Sequence, residues 1–212
     1  MGSGAGDGLR VERLELGQWG TNCYLLTCAE TNECVVVDPA AEPERILAAI
    51  AGRKVRYIVL THTHLDHIQG YTGVREATGA AAGVHPLDAP ELPYEHDFAL
   101  VDGAKLTFGR VELEILHVPG HTPGSVCLLH GQTLIAGDTL FPGGPGKTSD
   151  PESFLQIVQS IRERLLPLPD ETVVYPGHGV STTIGAERPQ INAFLTRVRE
   201  KTLCGDVLWA EG

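Results

Sequence analysis

The stretch Thr61-His62-Thr63-His64-Leu65-Asp66-His67, THTHLDH at residues 61–67, decides the reading of this chain. Three of the nine histidines and an aspartate fall within six residues, directly after the apolar run Val55–Leu60. That run, VRYIVL, is short and β-rich, as a buried strand is. In a loop leaving a strand, side chains two apart share a face, so His62 and His64 can point the same way. The chain then turns into a helix, and Asp66 and His67 swing toward a second point. The spacing therefore favours two neighbouring metal positions over one.

Working outward, the elements alternate. Toward the N-terminus, Leu9, Val11, Leu14 and Leu16 are punctuated by charges like a strand, and NCYLLT and ECVVVD read as two strands joined by the polar turn AETN. The segment EPERILAAIAG has helical spacing and closes on Gly52. Toward the C-terminus, IQGYTGVREATG reads as one helix ending at Gly79, and AAGV, KLTF, VELEIL, SVCLLH and TLIAG as short strands between Gly, Pro and Asp turns. Asp150-Pro151 looks like a helix cap followed by proline at the first helical position, opening the helix PESFLQIVQSIRERL. TVVY is a further strand, and AERPQINAFLTRVREKTL is expected to be helical. Two similar halves of strands and helices imply an α/β (α+β) architecture, a layered β core with helices on both faces.

Three more residues sit at strand ends followed by Gly-rich turns: His121 in VPGHTPGS, Asp138 in LIAGDT and His178 in VYPGHG. Carboxyl ends of strands are where such architectures place their sites. Each motif alone is weak; their order after THTHLDH makes the set specific.

With these residues in hand, the chain resembles the metallo-β-lactamase superfamily and, within it, the glyoxalase II-like (hydroxyacylglutathione hydrolase-like) short bacterial hydrolases, from about Val11 to Phe194. The resemblance implies a four-layered αββα sandwich. It implies that His62, His64 and His121 hold one metal, that Asp66, His67 and His178 hold the other, and that Asp138 bridges them. Imidazoles and carboxylates without thiolate suit Zn2+ first, with Fe2+ or Mn2+ as alternatives. Two such ions acidify water and polarise a carbonyl, which points to hydrolysis of a small thioester or ester. Asp66 is also expected to orient the nucleophile or pass a proton. Two rivals from the same superfamily are a mononuclear iron persulfide dioxygenase, using His62, His121 and Asp138, and a lactonase. A non-enzymatic metal-binding protein is disfavoured because no ligand is lost.

Other residues have competing readings. Asp38, in VVVDPA, reads first as a strand-end aspartate capping the turn before Pro39, and second as a support for a ligand histidine. Thr61 and Thr139 flank ligands and serve equally as turn formers. His85, His96, His117 and His130 match no ligand position. Lys147, in FPGGPGKTSD, is the only Lys or Arg between Arg110 and Arg162. Glyoxalase II enzymes carry a Lys in a similar Gly-Lys setting that contacts the glutathione carboxylate, so Lys147 is expected to bind an anionic part of the substrate. The sequence departs from that family in having Pro145 and Thr148 around the lysine, and too few residues after His178 for a helical C-terminal domain.

Bulk properties set the frame. The 212 residues carry a formal net charge of −11, against nucleic-acid binding. No apolar run approaches the roughly 20 residues that span a bilayer. Residues 1–8 read as a flexible leader or an expression remnant, and 9–212 as one domain. Five cysteines, an odd number, with no export signal suggest reduced thiols in a cytoplasm, and Cys23, Cys28 and Cys34 read as ordinary core or loop residues. The expected partner is a small anionic molecule, with no nucleic acid and no membrane; the oligomeric state is left open.

Overall fold

The computed structural model describes residues 8–197 and 202–210, so the expected leader, apart from Gly8, lies outside the described residues. Two six-stranded sheets dominate. The first runs β1 (Leu9–Leu16), β2 (Thr21–Cys28), β3 (Glu33–Val37), β4 (Lys54–Val59), β5 (Ala81–Val84) and β6 (Phe98–Ala99) in sequence order. A small ribbon pairs β11 (Leu140–Phe141) with β12 (Gly144–Pro145). The second sheet holds β7 (Lys105–Phe108), β8 (Val111–His117), β9 (Val126–His130), β10 (Thr133–Gly137), β13 (Val173–Pro176) and β14 (Thr182–Thr183), ordered β14-β13-β10-β9-β8-β7.

The layering follows from side-chain alternation. Along β2, Cys23 and Leu25 enter one core while Tyr24, Leu26 and Cys28 enter another; along β3, Cys34 and Val36 part from Val35 and Val37 in the same way. In the second sheet Cys127, Leu134 and Ala136 part from Val126, Leu128 and Ile135. Strands buried on both faces read as continuous apolar runs, which is why NCYLLT and ECVVV show no polar alternation. The core shared by the two sheets lies between them. The outer core of the first sheet takes Ile46 and Ile50 from α1 (Pro43–Ile50) and Tyr71 and Val74 from α3 (Tyr71–Thr78). That of the second takes Phe154 and Ile157 from α4 (Pro151–Ser160) and Ile191 and Phe194 from α5 (Ile184–Arg197). Helix, sheet, sheet, helix: the αββα sandwich holds.

Local corrections have local causes. The expected helix over 68–79 is two pieces, α2 (Leu65–Ile68) and α3, parted at Gln69-Gly70. There the backbone N–H groups of Gln69 and Gly70 bond to the carbonyls of Ala40 and Pro39, and a Cβ on Gly70 would meet Pro39 O at 2.9 Å. The end at Gly79 stands, in the left-handed conformation at φ 63°. Asp150 caps α4 by accepting from the Ser153 N–H at 2.9 Å. After Ser160 that helix widens into a π segment over Ile161–Leu165. The last helix starts at Ile184, with Pro189 inside; of its expected stretch, residues 198–201 lie outside the described residues, and Thr202 and Leu203 are not helical. Cys23, Cys28, Cys34 and Cys127 are buried and free, as core residues are. Among the described residues no helix is long and apolar enough to cross a membrane.

Candidate metal centre

All seven expected ligands meet at one edge of the sandwich. The loop after β4 carries His62 and His64, with His64 opening α2, which holds Asp66 and His67. The second sheet sends His121 from the β8–β9 loop, Asp138 from the end of β10 and His178 from the end of β13.

The side chains sort into triads. His62, His64 and His121 can bring one ligand atom each to within 4.8 Å of the others, and so can Asp66, His67 and His178. In the first triad, His121 Nε2 lies 2.9 Å from His64 Nδ1 and 3.3 Å from His62 Nε2. In the second, Asp66 Oδ2 lies 3.1 Å from His178 Nε2 and 3.6 Å from His67 Nε2. Asp138 stands between them. Its Oδ1 is 3.4 Å from His67 Nε2, and its Oδ2 is 3.6 Å from both His121 Nε2 and His178 Nε2.

A metal pair fits this donor set. His67 Nε2 and Asp138 Oδ1 are buried with no hydrogen-bond partner, a costly arrangement unless something else satisfies them. Packing imidazoles together also drives their charges apart. Burial, then His67 and His121, hold His62 well below the ordinary histidine pKa. Burial works against a charge on His67 too, but Asp138 and then Asp38 outweigh it and push its pKa up to about 10. Burial would raise the Asp66 carboxyl, yet the hydrogen bond with His178 and the nearby His67 hold it far below the usual carboxylate range.

Each half supports its ligands differently. Asp38 is buried beneath His67. Its Oδ2 lies 3.0 Å from His67 Nδ1 and accepts from the Thr61 hydroxyl at 2.6 Å, while Oδ1 accepts from the Thr61 N–H at 2.7 Å. The turn-cap reading of Asp38 is therefore corrected: the carboxylate fixes the ring of His67, a candidate ligand. A third possible grouping, Asp38 with His62 and His67, is already spent on these bonds. On the other side His121 Nδ1 donates to the backbone carbonyl of Lys147 at 2.8 Å, and His178 Nδ1 lies 3.3 Å from the Trp19 carbonyl. Gly177 has to be glycine, since a Cβ there would collide with Asp138 Oδ1.

The sequence matches the Metallo-beta-lactamase superfamily over residues 16–178. The chain belongs to the metallo-β-lactamase superfamily. It is 31% identical over 210 residues to the hydroxyacylglutathione hydrolase GloC of Haemophilus influenzae, covering 88% of this chain and 98% of that one. Among solved structures it is similar to ETHE1 from Myxococcus xanthus, with TM-score 0.79, 28% identity and coverage of 91% and 87% of the two chains. It is also similar to TTHA1623 in a di-iron-bound form, with TM-score 0.74, 35% identity and coverage of 84% and 97%.

Within this superfamily scaffold several supports escaped the sequence. Thr21 Oγ1 donates to Asp66 Oδ2 at 3.1 Å, and the Asn22 N–H and Tyr24 hydroxyl bond to Gly177 O and Pro176 O at 2.7 and 2.6 Å. First-sheet residues thus hold the loop that carries His178. Asp88, buried, accepts from the Thr122 hydroxyl at 2.7 Å and the Gly124 N–H at 2.6 Å, clamping the loop that carries His121. No local motif marks these residues, because their partners are distant in sequence. The ammonium of Lys147 does not enter the centre: it is exposed and 4.0 Å from Asp206. Among the histidines without a ligand role, His85 stacks on His117 at 4.1 Å.

Proposed function

We propose that this chain is a binuclear metallo-hydrolase of small thioesters or esters, glyoxalase II-like. The observation that carries the reading is Asp138, whose carboxylate lies between the triads, within 3.6 Å of His121 of one and of His67 and His178 of the other, with the donors of both triads intact. His62, His64 and His121 would hold one ion, Asp66, His67 and His178 the other, and Asp138 would bridge. When bound, Zn2+ or Fe2+ supplies Lewis acidity, making water a nucleophile near neutral pH and polarising the carbonyl.

The chain's own residues do the rest. Asp38 and the Lys147 carbonyl hold the rings of His67 and His121 in one orientation, which keeps the site preorganised. Asp66, ionised and only partly buried, orients the attacking water and passes its proton toward the leaving sulfur or oxygen. The cleft onto the triads, about 460 Å3, has room for a small acyl group and part of its thiol. The relationship to GloC supports the thioester class.

The likeness to ETHE1 supports a second reading, a mononuclear iron oxygenase on His62, His121 and Asp138. The intact Asp66, His67 and His178 triad favours the first. Metal analysis of purified protein alongside a thioester panel and an oxygen-uptake assay separates the two. Two ions per chain with thioester turnover is the expected result. One iron with persulfide-dependent oxygen uptake and no thioester turnover would replace it.

A further inference from the structure

Two histidines outside the triads stack across the sheets. His85 directly follows β5 of the first sheet, and His117 ends β8 of the second. Their rings are 4.1 Å apart and tilted by only 10°. Hydrogen bonds fix where the protons sit. The Pro123 carbonyl can only accept, so His117 Nε2, 2.9 Å away, carries a proton. The Leu87 N–H can only donate, and it meets His85 Nδ1 at 3.2 Å, so that nitrogen carries none. His85 is therefore neutral, with its proton on Nε2. A second proton has only Nδ1 to go to, where it would face the Leu87 N–H.

The turn that this bond closes bears on the first triad. The His85 carbonyl accepts from the Asp88 and Ala89 N–H groups, both at 3.0 Å. Asp88 in turn grips Thr122 and Gly124, and His117 holds Pro123 between them. Residues 122–124 are thus held from two directions, and His121 is the residue before them. Gly124 leaves no slack, since a Cβ there would lie 2.6 Å from the Asp88 carboxylate. The charged and titratable groups around His85 are His117 on β8, Asp88 in its own turn, and Asp102 ahead of β7, itself paired with Arg164 at 2.6 Å. Burial, then His117, hold His85 below the ordinary histidine pKa, and the two aspartates do not overcome them. As pH falls below about 6.5, an opened turn takes up a proton that the closed turn resists, so closure weakens toward acid.

We propose that His85 is a positioning residue for His121: its neutral ring closes the turn 85–88, Asp88 and His117 then hold residues 122–124, and a proton on Nδ1 releases that hold. The inference rests on the metal reading of the first triad for its consequence, weaker ion binding there in acid, but the release itself is read without metal.

The experiment follows amide exchange at Gly124, whose N–H is bound by Asp88, in the metal-free protein at about pH 7.5 and about pH 5.5, corrected for the intrinsic pH dependence of exchange. Two variants separate the bond from the stack. In His85→Asn the side-chain oxygen can accept from the N–H two residues on and does not titrate. His85→Phe keeps a ring and loses the acceptor. The unaltered protein is expected to lose about fivefold in protection in acid. His85→Asn is expected to stay protected at both pH values, and His85→Phe to show the loss at both. An equal acid loss in the unaltered protein and His85→Asn, or full protection of His85→Phe near neutral pH, would overturn the proposal. Zinc competition with a chelator near neutral pH reads the consequence: His85→Phe is expected to weaken one of two binding steps by about fivefold and spare the other. Equal weakening of both steps, or of neither, would break the link to His121. If the unaltered protein binds no zinc, the metal reading of His121 falls, and exchange at Gly124 still decides whether His85 holds the loop.

Discussion

The two halves of the sandwich reach the same centre by different means. The first sheet delivers four candidate ligands from one continuous stretch, residues 62–67, and braces His67 from beneath with the buried carboxylate of Asp38. The second delivers three candidate ligands from the β8–β9 loop and the ends of β10 and β13, and steadies His121 with a backbone carbonyl and Asp88's clamp on its loop. A contiguous motif can be fixed by one side chain at short range. Scattered ligands depend on distant parts of the chain, including β2 and the segment around Trp209. The first half should therefore be sensitive to single side chains beside the ligands, and the second to long-range packing.

Asp138 belongs to both halves and should give the largest effect. Asp138→Ala is expected to abolish turnover and lower the metal content below that of the unaltered protein, with far-UV circular dichroism unchanged. The loss of the shared anion leaves two cations in mutual repulsion. Near-normal turnover with full metal content would remove Asp138 from the centre.

Trp209→Ala tests the long-range dependence of the second half. Removing a fully buried indole should cost about 3–5 kcal/mol of stability, read by urea unfolding. Because its backbone pins Gly143, proteolysis should also become faster within 143–148 than elsewhere. Uniform destabilisation without that local change would break the link between the tail and the loop.

Asp38→Asn probes the first half. It is expected to weaken one of two sequential metal-binding steps by about 10–100-fold, measured by competition with a chelator, and to leave the other step nearly intact. Equal weakening of both steps would mean that the two triads are not independently supported.

The smallest effect is expected at Lys147. The sequence alone suggests a lysine dedicated to an anion; its exposure and the neighbouring Asp206 reduce the expected loss. Lys147→Ala should lower kcat/KM for a carboxylated thioester by roughly three- to fivefold, mainly through KM, and the difference should shrink with added salt. A hundredfold loss, or one insensitive to salt, would place the ammonium closer to the reacting atoms. His121 would be steadied as before in this variant, since the supporting group is the Lys147 carbonyl, which alanine retains.

The sequence by itself determined the layer type and marked the residues that converge at one edge of the sandwich. Short apolar runs rich in β-branched residues and bounded by turn residues suit strands buried on both faces, and THTHLDH groups its candidate metal ligands as neighbours in the chain. The end of IQGYTGVREATG at Gly79 and the cap at Asp150 were also legible, because Gly79 and the Asp-Pro pair act through their own local backbone. What the sequence could not decide was set across the sheets. Asp38 reads as a turn residue until β3 and β4 lie side by side and His67 comes to rest on its carboxylate. Asp88, Thr21 and Tyr24 carry no signal at all, since their partners lie from 34 to 152 residues away. Asp206 and Leu208 line the cleft beside the triads only because Trp209 packs into the core against Phe194. Local chemistry writes motifs into a chain, whereas hydrogen bonds and burial between distant segments exist only once the fold has brought them together.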